Sequence, residues 1–451
     1  MAAIDWLESE SAALDVASAL VARAKAAGAD VAEAAFFYNR EVGLTYRAGE
    51  VSDLGRSEDL GLNLRVWVGA KVATLSGNQM DAAALGLLAE QAVARARHLP
   101  DSPEVDLPTV PDAPRGVLEV DLAEPSLETL KAQAQELYEG AMAVAGIVNS
   151  DGGNAGWSRA RTALVASNGL AVTDCSSRYS RGISVQAGKG ADQTRGYDSC
   201  TRTHVADLKD LSSLVTRATE RALAQVGARP VASFQGDVVF DAPMAKSLFA
   251  GMLGAINGSA IAKGQSFLKE ALLSQIFPAN VQILDDPSVP RGLGSRRLDR
   301  EGHAPSPLTL VRDGTLQHWL LDRRSARKLG LQTNARAGYS GGGTLTPSAS
   351  NVRVSGGHGG QDDLIAGVDR GLLVTQMMGA GLNPLTGDYS RGAAGFLIEK
   401  GKLTQPVQAM TVAGQMQRMF ADLHLAADTD GDGTLAVPSV HIPQLAIAGM
   451  A

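Results

Sequence analysis

Cysteine is nearly absent from this chain: Cys175 and Cys200 are the only two in 451 residues. They cannot build a disulfide framework or a thiolate metal cluster, and free thiols are the expected state. Histidine is almost as scarce. His98, His204, His303, His318, His358, His424 and His441 make up the set, and no two lie within five residues of each other. A helical zinc-peptidase site needs two imidazoles about one turn apart on one face, so HExxH and HExxxH sites are excluded. A site assembled from distant histidines is the remote alternative. Aromatic residues are 4% of the chain, too few for base-stacking platforms. There is no basic excess either: 41 Lys and Arg stand against 48 Asp and Glu, a net charge of −7. Direct nucleic-acid binding is therefore not expected. A long uncharged run, between Lys246 and Lys263, holds Ser247, Gly251, Gly254, Asn257 and Gly258, too short and polar to span a bilayer. The acidic N-terminus is no signal peptide, so a cytoplasmic protein without a membrane partner is expected.

What is present suits a large globular chain. Hydrophobic residues are 45%, and glycine reaches 50 positions. The length predicts about three domains. An N-terminal α/β unit spans 1–99. Its helix carries Leu14, Ala17, Leu20, Val21 and Ala24 at helical spacing before Gly28, and strands alternate over Val42–Tyr46 and Leu60–Val68. Five prolines make 100–116 a linker. A central α+β unit over 117–227 has a hairpin signal at Asn168-Gly169 and a closing helix from Leu208 to Val226. A larger β-rich domain fills 230–451, with a strand at Asp237–Phe240, a small-residue-rich helix from Pro243, and hairpins at Asp313-Gly314 and Lys400-Gly401. The fold class is α+β, helix-covered sheet units followed by a mostly antiparallel C-terminal domain.

Three segments carry candidate chemistry. Gly338-Tyr339-Ser340-Gly341-Gly342 fits G-x-S-x-G, but no buried strand precedes it and no helix follows, so a glycine loop is preferred to a serine nucleophile. Asp428, Asp430 and Asp432 with Gly433 match the opening of a calcium loop. Ser439 stands where its bidentate glutamate belongs, so an acidic surface turn is preferred to a weak calcium site. Thr386-Gly387-Asp388-Tyr389-Ser390-Arg391-Gly392 is the third, a glycine-laden loop running into a strand. It suits peptide capture by strand addition, with Arg391 for a carboxylate, or equally a structural loop in which Asp388 pairs with Arg391.

At that segment, continuing to Gly395-Phe396, the chain resembles the TldD/PmbA family, in its PmbA (TldE) branch. Val311-Arg312-Asp313-Gly314-Thr315-Leu316, Ser325–Gly330 and Thr411–Gly414 carry the resemblance further, with Gln415 where the family usually has Asn. The resemblance implies a heterodimeric metalloprotease in which the TldD-type subunit holds zinc through HExxxH and a C-terminal cysteine. Here the matching helix, about 243–259, has Phe249, Ala250, Gly251 and Leu253, and no cysteine follows Cys200. The implied role is a zinc-less subunit, inactive alone and without a cofactor, that closes a chamber for unfolded or short peptides. The alternative is a stand-alone homodimeric peptide-binding or regulatory protein.

Overall fold

The computed structural model describes residues 5–101, 112–116, 118–339 and 345–449. Ser340 of the G-x-S-x-G segment and most of the proline-rich linker lie outside them. The first elements are α1 (Glu10–Ala26), β1 (Val31–Arg47), β2 (Glu50–Val68), β3 (Lys71–Gly77), α2 (Ala82–His98), α3 (Leu127–Met142), β4 (Ile147–Ala166), β5 (Ala171–Ala187), β6 (Thr194–Arg202) and α4 (Leu211–Ala224). Ser9 caps α1 by accepting from the Ala12 amide, and the helix ends at Gly28, in the left-handed region with φ +103°. β4 turns into β5 at Asn168-Gly169 as expected, although only Gly169 takes positive φ; Asn168 instead accepts the Leu170 amide on its side chain.

The two N-terminal units share one sheet. Its order is β3-β2-β1-β4-β5-β6, and the β1–β4 register (Leu44 against Ala155) crosses the linker. Local alternation fixes a strand's two faces, but which distant strand it pairs with is decided by the whole chain. All four helices lie on one face. Ala32, Ala34, Phe36 and Tyr38 are buried with residues of α1 and α2, Val42, Leu44 and Tyr46 with α3, and Val185 and Cys200 with α4.

The C-terminal elements are β7 (Phe234–Phe240), α5 (Ala242–Ala255), α6 (Gly258–Ala262), β8 (Gln282–Asp285), β9 (Leu308–Arg312), β10 (Thr315–Leu316), α7 (Arg323–Lys328), β11 (Ala337–Tyr339), β12 (Leu345–Pro347), β13 (Val352–Ser355), α8 (Gln361–Ala366), β14 (Arg370–Met378), β15 (Asp388–Glu399), β16 (Lys402–Gln415), α9 (Met416–Ala421), β17 (His424–Leu425), β18 (Leu435–Ala436) and β19 (Val440–Ala448). The sheet β16-β15-β14-β7-β19 closes on itself because β16 also pairs β19, which removes its free edges. A second sheet, β10-β9-β8-β13-β18, shares its core with this barrel and α5. Only β7–β14 and β13–β18 are parallel pairs among the described strands. Both expected hairpins form. Asp313-Gly314 and Lys400-Gly401 place positive φ at both turn positions, as a tight right-twisted hairpin requires.

The C-terminal domain docks on the sheet face that the helices leave bare. There Arg65 pairs with Glu33 at 3.2 Å, and Arg323 with Glu301 at 3.5 Å, in a buried polar seam. Among the described residues no helix is long and apolar enough to cross a membrane.

Candidate functional site

The Thr386–Gly392 segment is mostly strand, not loop. β15 begins at Asp388, and the turn before it is built by Asn383, whose side chain accepts the amides of Leu385 (3.0 Å) and Thr386 (3.4 Å). Thr386 Oγ1 donates to Asp388 Oδ2 at 2.5 Å, and Gly387 takes φ +82°. Gln415 lies opposite Asp388 in register, and its amide donates to the Thr386 carbonyl at 2.7 Å. Gln415 therefore anchors this turn.

Strand alternation puts Asp388 and Ser390 on the exposed face, and Tyr389 and Arg391 on the other. Asp388 and Arg391 thus point apart and do not pair. Strand addition is closed here as well. β16 hydrogen-bonds one edge of residues 388–391, while on the other the Ser390 amide donates to Gly381 O at 2.7 Å and the Asn383 amide to Asp388 O at 2.8 Å.

Tyr389 is 4% exposed, and its hydroxyl lies 3.2 Å from Met377 Sδ. Burial pushes its pKa up to about 12, against the lowering effect of the adjacent Arg391. Arg391 Nε is buried without a hydrogen-bond partner, and no described carboxylate lies within ion-pairing distance of the guanidinium. A half-buried arginine without a counter-ion is poised for a carboxylate.

Facing this strand is α5. Asp241 caps it by accepting the Met244 amide at 2.9 Å, and Pro243 fits the first turn, where its missing N–H costs nothing. Leu248, Phe249, Met252 and Ala255 are buried; Phe249 stacks on Phe277 at 5.9 Å and on Phe420 at 6.4 Å. On the other side, a Cβ on Gly251 would meet Leu382 at 2.7 Å, and Ser247 Oγ lies 4.0 Å from Met377 Sδ. Ser247, Gly251, Met377, Leu382, Tyr389 and Arg391 thus converge. The helix expected over 243–259 is two helices. α5 stops at Ala255, and Asn257 caps α6 while its amide reaches Pro347 O at 2.7 Å. At Gly258 the backbone meets Leu320 O at 2.8 Å, an approach that a side chain would block.

A zinc ion does not fit these residues. α5 presents no imidazole or carboxylate toward β15, and among the described residues no group of three or more His, Cys, Asp or Glu is placed to hold a metal ion. Cys200 is buried in the core of the central unit. Two histidines distant in sequence do meet: His424 and His441 stack at 5.5 Å, and His441 shares a 3.1 Å hydrogen bond with Asp237.

The Asp428–Gly433 turn is spoken for by cations. Asp432 is held by Arg202 and Lys209 of the central unit, Asp430 by Lys246 of α5 at 3.1 Å, and Asp428 accepts from Ser439. A calcium ion would have to displace three positive charges, so the turn reads as an ionic clasp between domains. Arg202, Lys209, Ser439 and the three aspartates line a cavity of about 620 Å³ with the α5 cap Asp241 in its wall. Burial raises Asp241 to about 7, with the α5 cap bond opposing; burial likewise raises Glu301 to about 7 against Arg323 and Arg65.

Both carboxyls hold protons more tightly folded than unfolded, so acid stabilises the fold as pH falls from above 7 toward the unfolded values near 4. We expect urea stability to rise between pH 8 and pH 5.5, by about 2 kcal/mol at most per group. The Asp241→Asn, Glu301→Gln double variant should flatten that rise. An unchanged slope would assign the pH dependence to other groups.

Sequence reasoning singled out Tyr389 and Arg391, which belong to the convergent site. It missed Met377 and gave no role to Leu382 and Asn383, ordinary residues made significant only by position. It also missed Arg202, Lys209 and Lys246, because nothing near the acidic turn in sequence announces them.

Models of the PmbA/TldA metallopeptidase domain 1, central domain and C-terminal domain match residues 32–96, 120–226 and 233–449. The chain is 28% identical over 458 residues to the metalloprotease PmbA of Escherichia coli O157:H7, covering 100% of this chain and 99% of that one. In fold it is similar to a candidate modulator of DNA gyrase from Bacteroides thetaiotaomicron (TM-score 0.87, 24% identity, 97% and 98% coverage). It is also similar to TldE from Thermococcus kodakarensis (TM-score 0.85, 20% identity, 96% and 100% coverage).

Proposed function

Since the chain belongs to the PmbA/TldE family of metallopeptidase proteins, we propose that it is the zinc-less subunit of a two-subunit peptidase acting on short or unfolded peptides. The carrying observation is α5. Where a zinc subunit of this type needs imidazole and carboxylate, this helix has Phe249, Ala250, Gly251 and Leu253, with Phe249 locked among Phe277 and Phe420. A TldD-type subunit would bring the metal and the hydrolytic chemistry. This chain would close the chamber with the α5–β15 face and offer Arg391 to a peptide carboxylate. The setting we propose is the reducing cytoplasm, consistent with the free thiols of Cys175 and Cys200.

The test is reconstitution. The purified chain alone should not cleave peptides, and adding a TldD-type subunit should give co-elution and chelator-sensitive cleavage. Arg391→Ala should raise KM about 10- to 100-fold, the worth of one charge-assisted contact, and leave co-elution intact. Chelator-sensitive cleavage by the single-species preparation would sink the proposal. A homodimer that binds peptides and ignores the TldD-type subunit would replace it with a stand-alone binding role.

A further inference from the structure

β3 covers β2 only from Leu62 to Val68, so the outer edge of β2 from Glu50 to Gly61 pairs with no described residue. Residues 50–59 are exposed without interruption, including Val51 (37%) and Leu54 (54%). Both faces are bare for structural reasons. On one, α3 covers β1 and β4 but stops short of β2. On the other, Gly55, Gly43 and Gly156 stand abreast in register and leave a trough of about 620 Å³. Alternate residues of such an edge aim N–H and C=O groups outward, a template for another strand.

The charge pattern selects the occupant. Within the segment Glu50, Asp53, Glu58 and Asp59 stand against Arg56, with Glu58 also paired by Arg40 of β1. A second copy laid antiparallel in full overlap would set Asp53 against Glu58 and bring two acidic edges together. We infer that β2 residues 50–61 form a docking edge for a β-strand of a different protein chain, one bearing Lys or Arg opposite Asp53 and Asp59. The inference rests on the two-subunit reading, under which that strand belongs to the TldD-type subunit. Backbone pairing supplies affinity, and charge selects heteromeric over self association.

The experiment is hydrogen exchange on the full chain, alone and mixed with a purified TldD-type subunit from the same organism, beside affinity measurements on an Asp53→Lys, Asp59→Lys variant. Glu58 is left intact because it receives the Tyr38 hydroxyl at 2.8 Å and pairs with Arg40. Amides of 50–61 should exchange at least tenfold more slowly in the complex, and the variant should bind at least tenfold more weakly with an unchanged Tm. A complex that leaves 50–61 unprotected and binds the variant as well as the parent overturns the docking edge while the two-subunit reading stands. Protection of the same amides in a homodimer overturns the choice of partner. If the parent chain forms no complex, both readings fall.

Discussion

Arg336→Ala should cost the C-terminal domain about 3–5 kcal/mol, read as a lowered urea midpoint. Arg336 and Asp285 are each 0% exposed and form a buried ion pair. The guanidinium also donates to the carbonyls of Asn334 (2.8 Å) and Ser306 (2.7 Å), and Asp285 accepts the Ser350 amide at 2.7 Å. Arg336 thereby ties β8 to the segments carrying Ser306 and Asn334, while Asp285 holds Ser350. Removing the arginine strands a buried carboxylate and the carbonyls of Asn334 and Ser306, and an unpartnered buried charge is among the most destabilising defects known. Removing both partners is a different perturbation. Asp285→Leu with Arg336→Met should lose less than Arg336→Ala alone, because two ions return their desolvation cost together. A double variant as unstable as the sum of its singles would show that the backbone contacts, not the charges, dominate.

Phe420→Ala should be comparably severe, about 3–5 kcal/mol, with a direct consequence for the α5–β15 face. The ring is 1% exposed and lies 4.8 Å from Phe277, 6.4 Å from Phe249 and 6.4 Å from Phe267. These rings seat α5 against α9 and the segment before β8. The cavity left by the deletion lies beneath the helix whose other side meets Met377 and Leu382, so α5 should settle inward and draw that face out of register. We expect co-elution with a TldD-type subunit to weaken along with stability. Phe420→Leu, which keeps most of the volume, should cost less than half as much. A stability loss with undiminished partner binding would show that the α5 face lies outside the interface.

The sequence was most legible where neighbours in the chain decide the outcome. Asp313-Gly314 and Lys400-Gly401 are hairpins because the second residue of each pair tolerates the φ the turn demands. It was less legible where glycine serves packing. β15 reads as a loop because Gly387, Gly392 and Gly395 punctuate it. Yet a Cβ at Gly395 would sit 1.7 Å from Leu373 O, so that glycine permits a close strand approach. The acidic turn shows the same limit. Its aspartates are visible at 428–432, while Arg202, Lys209 and Lys246 reach it from elements far away in the chain.

By itself the sequence determined the N-terminal helix and strands, the Asp313-Gly314 and Lys400-Gly401 turns, and that α5 carries no zinc ligands. Those properties follow from backbone dihedral preferences, hydrophobic period and side-chain chemistry, all local. Only the tertiary structure decided that two N-terminal units share one sheet, that the C-terminal barrel closes through β16 and β19, and that Arg391 meets no described carboxylate. Each of these is the outcome of a competition among surfaces distant in the chain, settled by whichever arrangement buries the most apolar area with its polar groups satisfied.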